Sequence, residues 1–422
     1  MNKYTNRTKA IRNVNISLIL LLLGFILCNC IDPFNTNIKG KESLLIVDAL
    51  LTNENRSYTV KLSRTTTTQN EDPILVSDAT VTISDQDERV SKLVETSYGI
   101  YKTDSLSFLG QTGGAYTLNI RTSDGTEFRS EQCIMYPVPP IDNIYYIKDQ
   151  EFLNNNTEVL EGLRIFLNSE NSGGGLYFRW IYNEWWKFSV PNPKRYDYID
   201  KDNIPLVEQL EQVCYGHNES KDILIHSLGS SQSYIIEKEP ILFVPSVTSD
   251  RLLIQYCIEI KQLSVSGTEY QFWQQLKEIN EGGSDIFEQQ PFSIIGNIRN
   301  INNPSEVVLG YFQVSAVEER RLYITHNELD NLNLSFYTYD CQKIDLGPND
   351  FPSQDTSSLM TFDKIYARYT SAGYIFVEPV YDRRMNLEKL AFTKPLCALC
   401  TLRGSSTKPD FWIDPDLPQV EK

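Results

Sequence analysis

Cysteine carries most of the chemistry this sequence could perform, and its eight copies fall into three settings. Cys28 and Cys30 end an apolar run, LILLLLGFILCNC. Cys133 and Cys257 sit in strand-like apolar stretches, QCIMY and IQYCIEI. Cys214, Cys341, Cys397 and Cys400 sit among polar and turn-forming residues. The first setting suits thioether acylation, the second a buried thiol, and the third disulfide bonding in an exported chain. Six cysteines follow Cys30, which allows about 15 pairings, and spacing alone selects none of them. The Cys397-Ala-Leu-Cys400 spacing also fits a redox dithiol or half of a structural zinc site. A redox motif of this kind opens a helix within a βαβ unit, which lowers the first thiol's pKa. Here Pro395 precedes the pair and a Gly-Ser-Ser-Thr-Lys-Pro turn follows. Staples to partners such as Cys214 and Cys341 are therefore expected, and no metal or cofactor is assigned.

The acylation reading rests on the N-terminus. Leu18 to Cys28 is an uncharged run, about 16 Å of helix at roughly 1.5 Å per residue, against a bilayer core of about 30 Å. Lys3, Arg7, Lys9 and Arg12 precede it and the first acid is Asp32. A positive segment followed by a short apolar one is a secretory signal. Leu27-Cys28-Asn29-Cys30 places Leu three residues before Cys30, which fits a lipoprotein signal cleaved at residue 29. Cys30 would then be diacylated and N-acylated, and several acyl chains anchor firmly at about 0.8 kcal/mol per buried CH2. An ordinary cleaved signal with an incidental cysteine is the alternative.

The remaining polar candidates offer less. His217, His226 and His326 are not at metal-ligand spacing, and neither HExxH nor GxSxG occurs. Asp85 and Asp87, or Asp414 and Asp416, could ligate calcium, but two acids in a turn are more often simply solvated. Carboxylate pairs for glycoside hydrolysis meet only through the fold and cannot be found by spacing. The aromatics are denser: Trp180, Tyr182, Trp185 and Trp186, followed by Tyr196 and Tyr198. In a strand, Trp180, Tyr182 and Trp186 share one face and Trp185 points the other way. One face is expected to pack in a core and leave the other ring for a ligand or partner, with wholly internal packing as the alternative.

Composition narrows the partners. Removing residues 1–29 takes four of the 39 basic residues and none of the 55 acidic ones, so the formal charge deepens from −16 to −20. That argues against nucleic acid and against electrostatic docking on anionic lipid. The 24 Tyr and 19 Phe, with abundant Thr, Val and Ile, favour β structure.

These residues need elements to position them. SYTVKLS, ATVTISD and AYTLNI alternate apolar and polar, separated by turn signals such as Gly113-Gly114 and Ser123-Asp124-Gly125. The pattern predicts an immunoglobulin-like or transthyretin-like sandwich over 42–136, after a tether over 30–41. PVPPIDNIYY (137–146) reads as a stiff linker, because its prolines cannot continue a ladder. Beyond it, 147–422 reads as a larger β-sandwich domain. LRIFLN and LYFRWIYNEWWKFSV are its strands, 191–222 is an elaborated loop holding Cys214, and 340–363 is loop-like. GTEYQFWQQLKEINEGG predicts a helix over about 268–281, with Thr268 and Gln271 as a capping box and Gly282-Gly283 as its stop. The C-terminal end lies over the second domain, held by its cysteines and by Phe411-Trp412. The fold class is mainly β.

Taken in order, Cys30-Ile-Asp-Pro, ATVTISD, YTLNIRTSDG, PPIDNIYY, FRWIYNEWW, EPILFVPS, EYQFWQQLKEINEGGSDIFEQQPFSIIGNI, VLGYFQVSAV and KPDFW resemble the domain-of-unknown-function family 4249 of Bacteroidetes outer-membrane lipoproteins. The resemblance implies a non-catalytic accessory or binding role beside a TonB-dependent receptor, in uptake or export, and brings no catalytic residues with it. It leaves the periplasmic and surface faces of the outer membrane both open. A carbohydrate- or peptide-processing enzyme, and a passive structural surface protein, are the competing readings.

Overall fold

Alternation along the chain produces strands throughout, and in the computed structural model 46% of the described residues are strand and 14% helix. It describes residues 43–66, 71–104, 108–153, 158–170, 175–229, 235–281, 294–351 and 359–414. The signal peptide, Cys30, the tether and Gly282-Gly283 lie outside the described residues, as does Asp416.

Ten strands come from the first third: β1 (Leu45–Leu51), β2 (Thr59–Arg64), β3 (Ile74–Leu75), β4 (Thr80–Asp85), β5 (Val90–Lys92), β6 (Val94–Ser97), β7 (Ile100–Lys102), β8 (Ala115–Arg121), β9 (Glu127–Ser130) and β10 (Cys133–Ile134). Seven follow: β11 (Asn143–Leu153), β12 (Glu158–Glu170), β13 (Tyr177–Ser189), β14 (Val213–Glu219), β15 (Leu224–Ser227), β16 (Ile235–Pro245) and β17 (Gln255–Val265). After the helix Gly267–Glu281 come β18 (Ile298–Asn300), β19 (Leu309–Val314) and β20 (Val317–Thr325). Last are β21 (Ile344–Leu346), β22 (Ile375–Tyr381) and β23 (Leu387–Thr393).

The first sandwich has one sheet in the order β19-β1-β2-β7-β6, with β3 beside β2, and another in the order β18-β9-β8-β4-β5, with β10 beside β8. Val47, Leu62, Ile83, Leu118, Phe128 and Phe312 are among its buried core side chains. Two of its strands come from far down the chain. β19 runs parallel to β1, pairing Ile46 with Leu309 through Leu51 with Val314, and β18 pairs antiparallel with β9. A boundary at residue 136 therefore cuts through this sandwich. Neither strand carries a local signal that its partner lies far upstream in the sequence.

The second sandwich packs β11-β12-β16 on β14-β13-β17-β20, with β15 beside β13. Leu163, Ile165 and Leu167 meet Phe178, Trp180, Tyr256 and Ile260 in its core. The proline segment is no free spacer. The Pro139 carbonyl accepts from Gln262 Nε2 (2.9 Å), the Pro140 carbonyl accepts from Ser169 Oγ (2.9 Å), and Ile141 is buried. From Leu44 onward nearly all described residues fall in one unit, so the two sandwiches are not separable bodies.

Residues 191–222 are not one loop: Cys214 sits inside β14, and Tyr198 is buried in a third, smaller core. That core joins Ile365 of the helix Phe362–Ser371 to Phe376, Leu390 and Phe392 of the sheet β21-β23-β22. The helix Gly267–Glu281 starts at Ser266 rather than Thr268. Ser266 Oγ accepts from the Glu269 backbone N–H (3.1 Å), which satisfies one of the open donors of the first turn.

Candidate functional site

Strand β13 alternates as a half-buried strand should, with its even-numbered residues turned inward down to Glu184. Trp180 is fully buried and its indole N–H donates to Gln262 Oε1 (3.0 Å); Tyr182 is buried beside it. Trp186 is half-buried, and its ring lies over Gly216, the residue directly across on β14. A Cβ built there would come within 2.3 Å of the indole, so glycine makes the room.

The opposite face of this sheet is a ladder of cross-strand rows. His217, Trp185, Cys257 and Tyr323 form one row; Glu219, Asn183, Glu259 and Arg321 the next; Ile181, Lys261 and Glu319 a third. Directly paired residues share a face, so each row is a contact set. Trp185 is not left open. His217 stacks on it (centroids 5.0 Å apart) and Phe411 meets it edge-on (4.7 Å), with the Arg321 guanidinium over Phe411. Trp412 is buried alongside. Its N–H donates to Gln255 Oε1 (2.9 Å), Gln255 Nε2 donates to the Ile413 carbonyl (2.8 Å), and the Tyr323 hydroxyl donates to the Phe411 carbonyl (2.9 Å). Lys187 and Lys408 both pair with Asp414, whose carboxyl Lys408 holds below its usual range. The aromatic end of the sheet is thus covered by the chain's own tail.

The four polar-context cysteines hold that tail. Cys214 is bonded to Cys400 and Cys341 to Cys397, while Cys133 and Cys257 remain thiols. The two CALC cysteines bond to different partners, one on β14 and one before β21. Burial pushes the Cys133 and Cys257 thiols up to about 12, so neither is a ready nucleophile.

The middle rows are charged and internally matched. Glu259 is buried against Arg321, and Lys261 bridges Glu54 of the β1–β2 connection and Glu319. At the far end Arg179 lies under the Trp273 ring (3.7 Å) and donates to Gln313 Oε1 (2.7 Å), tying β13, the helix and β19 together. Glu269, on that helix and 2% exposed, accepts from Trp273 Nε1 (3.4 Å). Burial raises its carboxyl to about 7, opposed in part by Arg179, whose own pKa burial lowers to about 10.

Two buried carboxylates, Glu184 and Asp250, are not among the candidates named from the sequence. Glu184, fully buried on the inner face, accepts from Arg251 (2.7 Å), the Tyr256 hydroxyl (2.7 Å) and Asn218 Nδ2 (2.9 Å). Asp250 accepts from the Tyr339 hydroxyl (2.6 Å) and Arg403 Nη1 (2.7 Å), joining the second sandwich to the stapled tail. Only a strand-parity reading, which turns Glu184 inward with Trp180 and Tyr182, points to the first.

The histidines stay apart: His217 stacks on Trp185, His226 pairs with Glu239 (2.8 Å), and His326 Nδ1 lies 3.2 Å from the Leu252 carbonyl. Asp85 accepts from the backbone N–H groups of Asp87 and Arg89 (2.9 Å each), and Asp87 pairs with Arg89. Among the described residues no group of three or more His, Cys, Asp or Glu could hold a metal ion, and no helix is long and apolar enough to cross a membrane.

The chain matches the model of the family described as domain of unknown function (DUF4249) over residues 31–321. No curated protein matches the chain. The matched stretch ends inside β20, so it contains Cys214 while Cys341, Cys397 and Cys400 lie beyond it.

Proposed function

The chain belongs to the DUF4249 family, and on that footing we propose that it is a non-catalytic, lipid-anchored accessory or binding module of the outer membrane, acting beside a TonB-dependent transporter. One observation carries the binding reading over a catalytic one: three of the four buried carboxylates among the described residues are already engaged by arginine, Glu269 being the fourth. Glu184 is held by Arg251, Tyr256 and Asn218, Asp250 by Arg403 and Tyr339, and Glu259 by Arg321. An acid whose oxygens are taken up by an arginine of its own chain is a poor nucleophile or base, because the partner occupies the lone pairs that would have to reach a substrate. Two disulfides accord with an oxidising compartment outside the cytoplasm. The Leu27-Cys28-Asn29-Cys30 signal supplies the anchor, and the chain from Cys30 to Leu44 reaches at most about 50 Å from the bilayer at roughly 3.5 Å per residue.

The test is affinity purification of the C-terminally tagged protein from detergent-solubilised membranes, alongside Cys30→Ala. A TonB-type receptor co-purifies with the unsubstituted protein, and Cys30→Ala moves it to the soluble fraction. Recovery of the protein alone after cross-linking refutes the partnership, and a Cys30→Ala protein that still pellets with membranes refutes the anchor.

A further inference from the structure

A cleft of about 690 Å³ opens at one end of the first sandwich, between the β4–β5 hairpin, the β1–β2 connection and the segment leading into β8. Its volume lies within the range of small-ligand sites, about 300–1,000 Å³. Its walls combine two kinds of group. Asn55, Ser91, Lys92 and Gln111 line it, and among the described residues none of these side chains has a hydrogen-bond or ion-pair partner in the chain; Phe108 and the exposed Leu109 add apolar surface. The hairpin wall is bonded within itself and to β8: Asp85 caps the turn, Asp87 pairs with Arg89, and Gln86 Oε1 accepts from the Ala115 N–H (2.7 Å).

The charge state selects the ligand class. Asp85 and Asp87 are balanced by Arg89 and Lys92, so the lining is neutral, within a chain whose formal charge, −16 before and −20 after removal of residues 1–29, repels anions. Arg89 already occupies the carboxylates, which removes the attraction for a cation. Extended peptide would need a long open strand edge, and β5, the edge strand here, has only three residues. What fits is a neutral molecule with many hydroxyls and an apolar C–H face to lay on Phe108 and Leu109. We propose that this cleft binds a neutral oligosaccharide. The inference deepens the binding-module reading, and rests on it, by naming the ligand.

The test uses the full lipoprotein in a detergent without a sugar headgroup. It is titrated calorimetrically with hexamers of maltose, xylose, mannose and N-acetylglucosamine series, and with a casein digest as the peptide probe. At least one hexamer binds, and the double substitution Ser91→Ala with Gln111→Ala weakens it tenfold or more without moving the Tm, while Gln150→Ala on β11 leaves it unchanged. Absence of binding to every hexamer, binding indifferent to the cleft substitutions, or preference for the casein peptides overturns the proposal. Co-purification with a receptor is read separately, so a failed titration beside an intact receptor complex sinks the saccharide and spares the accessory role.

Discussion

Replacing Glu269 with Gln gives the sharpest physical test of this fold. The carboxyl is almost completely buried where the helix Gly267–Glu281 meets both sandwiches. Its pKa is raised from an ordinary 4.5 to about 7, chiefly by desolvation, with Arg179 and the Trp273 N–H pulling the other way. A carboxyl that binds its proton more tightly when folded stabilises the fold at low pH. That advantage is complete below about 4.5 and declines as pH rises through about 7. At 1.36 kcal/mol per pKa unit the full swing is about 3 kcal/mol. Gln keeps an acceptor for Trp273 but adds an amide N–H2 that must find partners, at a cost of about 1 kcal/mol. E269Q is therefore slightly less stable than the parent at pH 5 and about 2 kcal/mol more stable at pH 8. Urea unfolding at pH 5, 6, 7 and 8, with both proteins in a Cys30→Ser background, reads the difference. Groups that titrate in the same window, such as His226 raised by Glu239, are common to both and cancel. A difference that stays constant from pH 5 to pH 8 refutes the reasoning, because Glu269 would then keep one charge state throughout.

Two further outcomes follow from the stapled tail. Breaking Cys214–Cys400, which closes a loop of 186 residues, with Cys214→Ser and Cys400→Ser together costs up to about 5 kcal/mol in the chain-entropy account; a loss below 1 kcal/mol in urea unfolding contradicts it. Gly216→Ala puts a methyl group 2.3 Å from the Trp186 ring, and the overpacking costs about 1–3 kcal/mol with a changed near-ultraviolet circular dichroism spectrum; an unaltered spectrum and midpoint would show that the indole does not lie there.

Local pattern made much of this legible. Period-two alternation in YTVKLS and AYTLNI gave β2 and β8, and the helical spacing of Phe272 and Leu276 located the one long described helix, because both signals sit within a few residues. The cysteines divide as their surroundings suggest, apolar for Cys133 and Cys257 and polar for the four that bond. Contacts made across long sequence distances were not legible. Parity shows that Trp185 leaves the core but not that Phe411 covers it. The capping serine was hidden because Thr268, two residues later, offers the same chemistry. The cleft assembles residues from 55 to 116, none unusual in its own neighbourhood.

The return of β19 to lie along β1 has a consequence for biogenesis. During synthesis the amino-terminal strands emerge first, yet the sheet they begin cannot close until residue 314 has followed. Until then the unpaired backbone of β1 is an open template for aggregation, and such non-local pairing is slow to form. A chain of this design exposes that strand edge through most of its synthesis, and a truncation after the proline segment yields an unfinished half-sheet rather than a free-standing module.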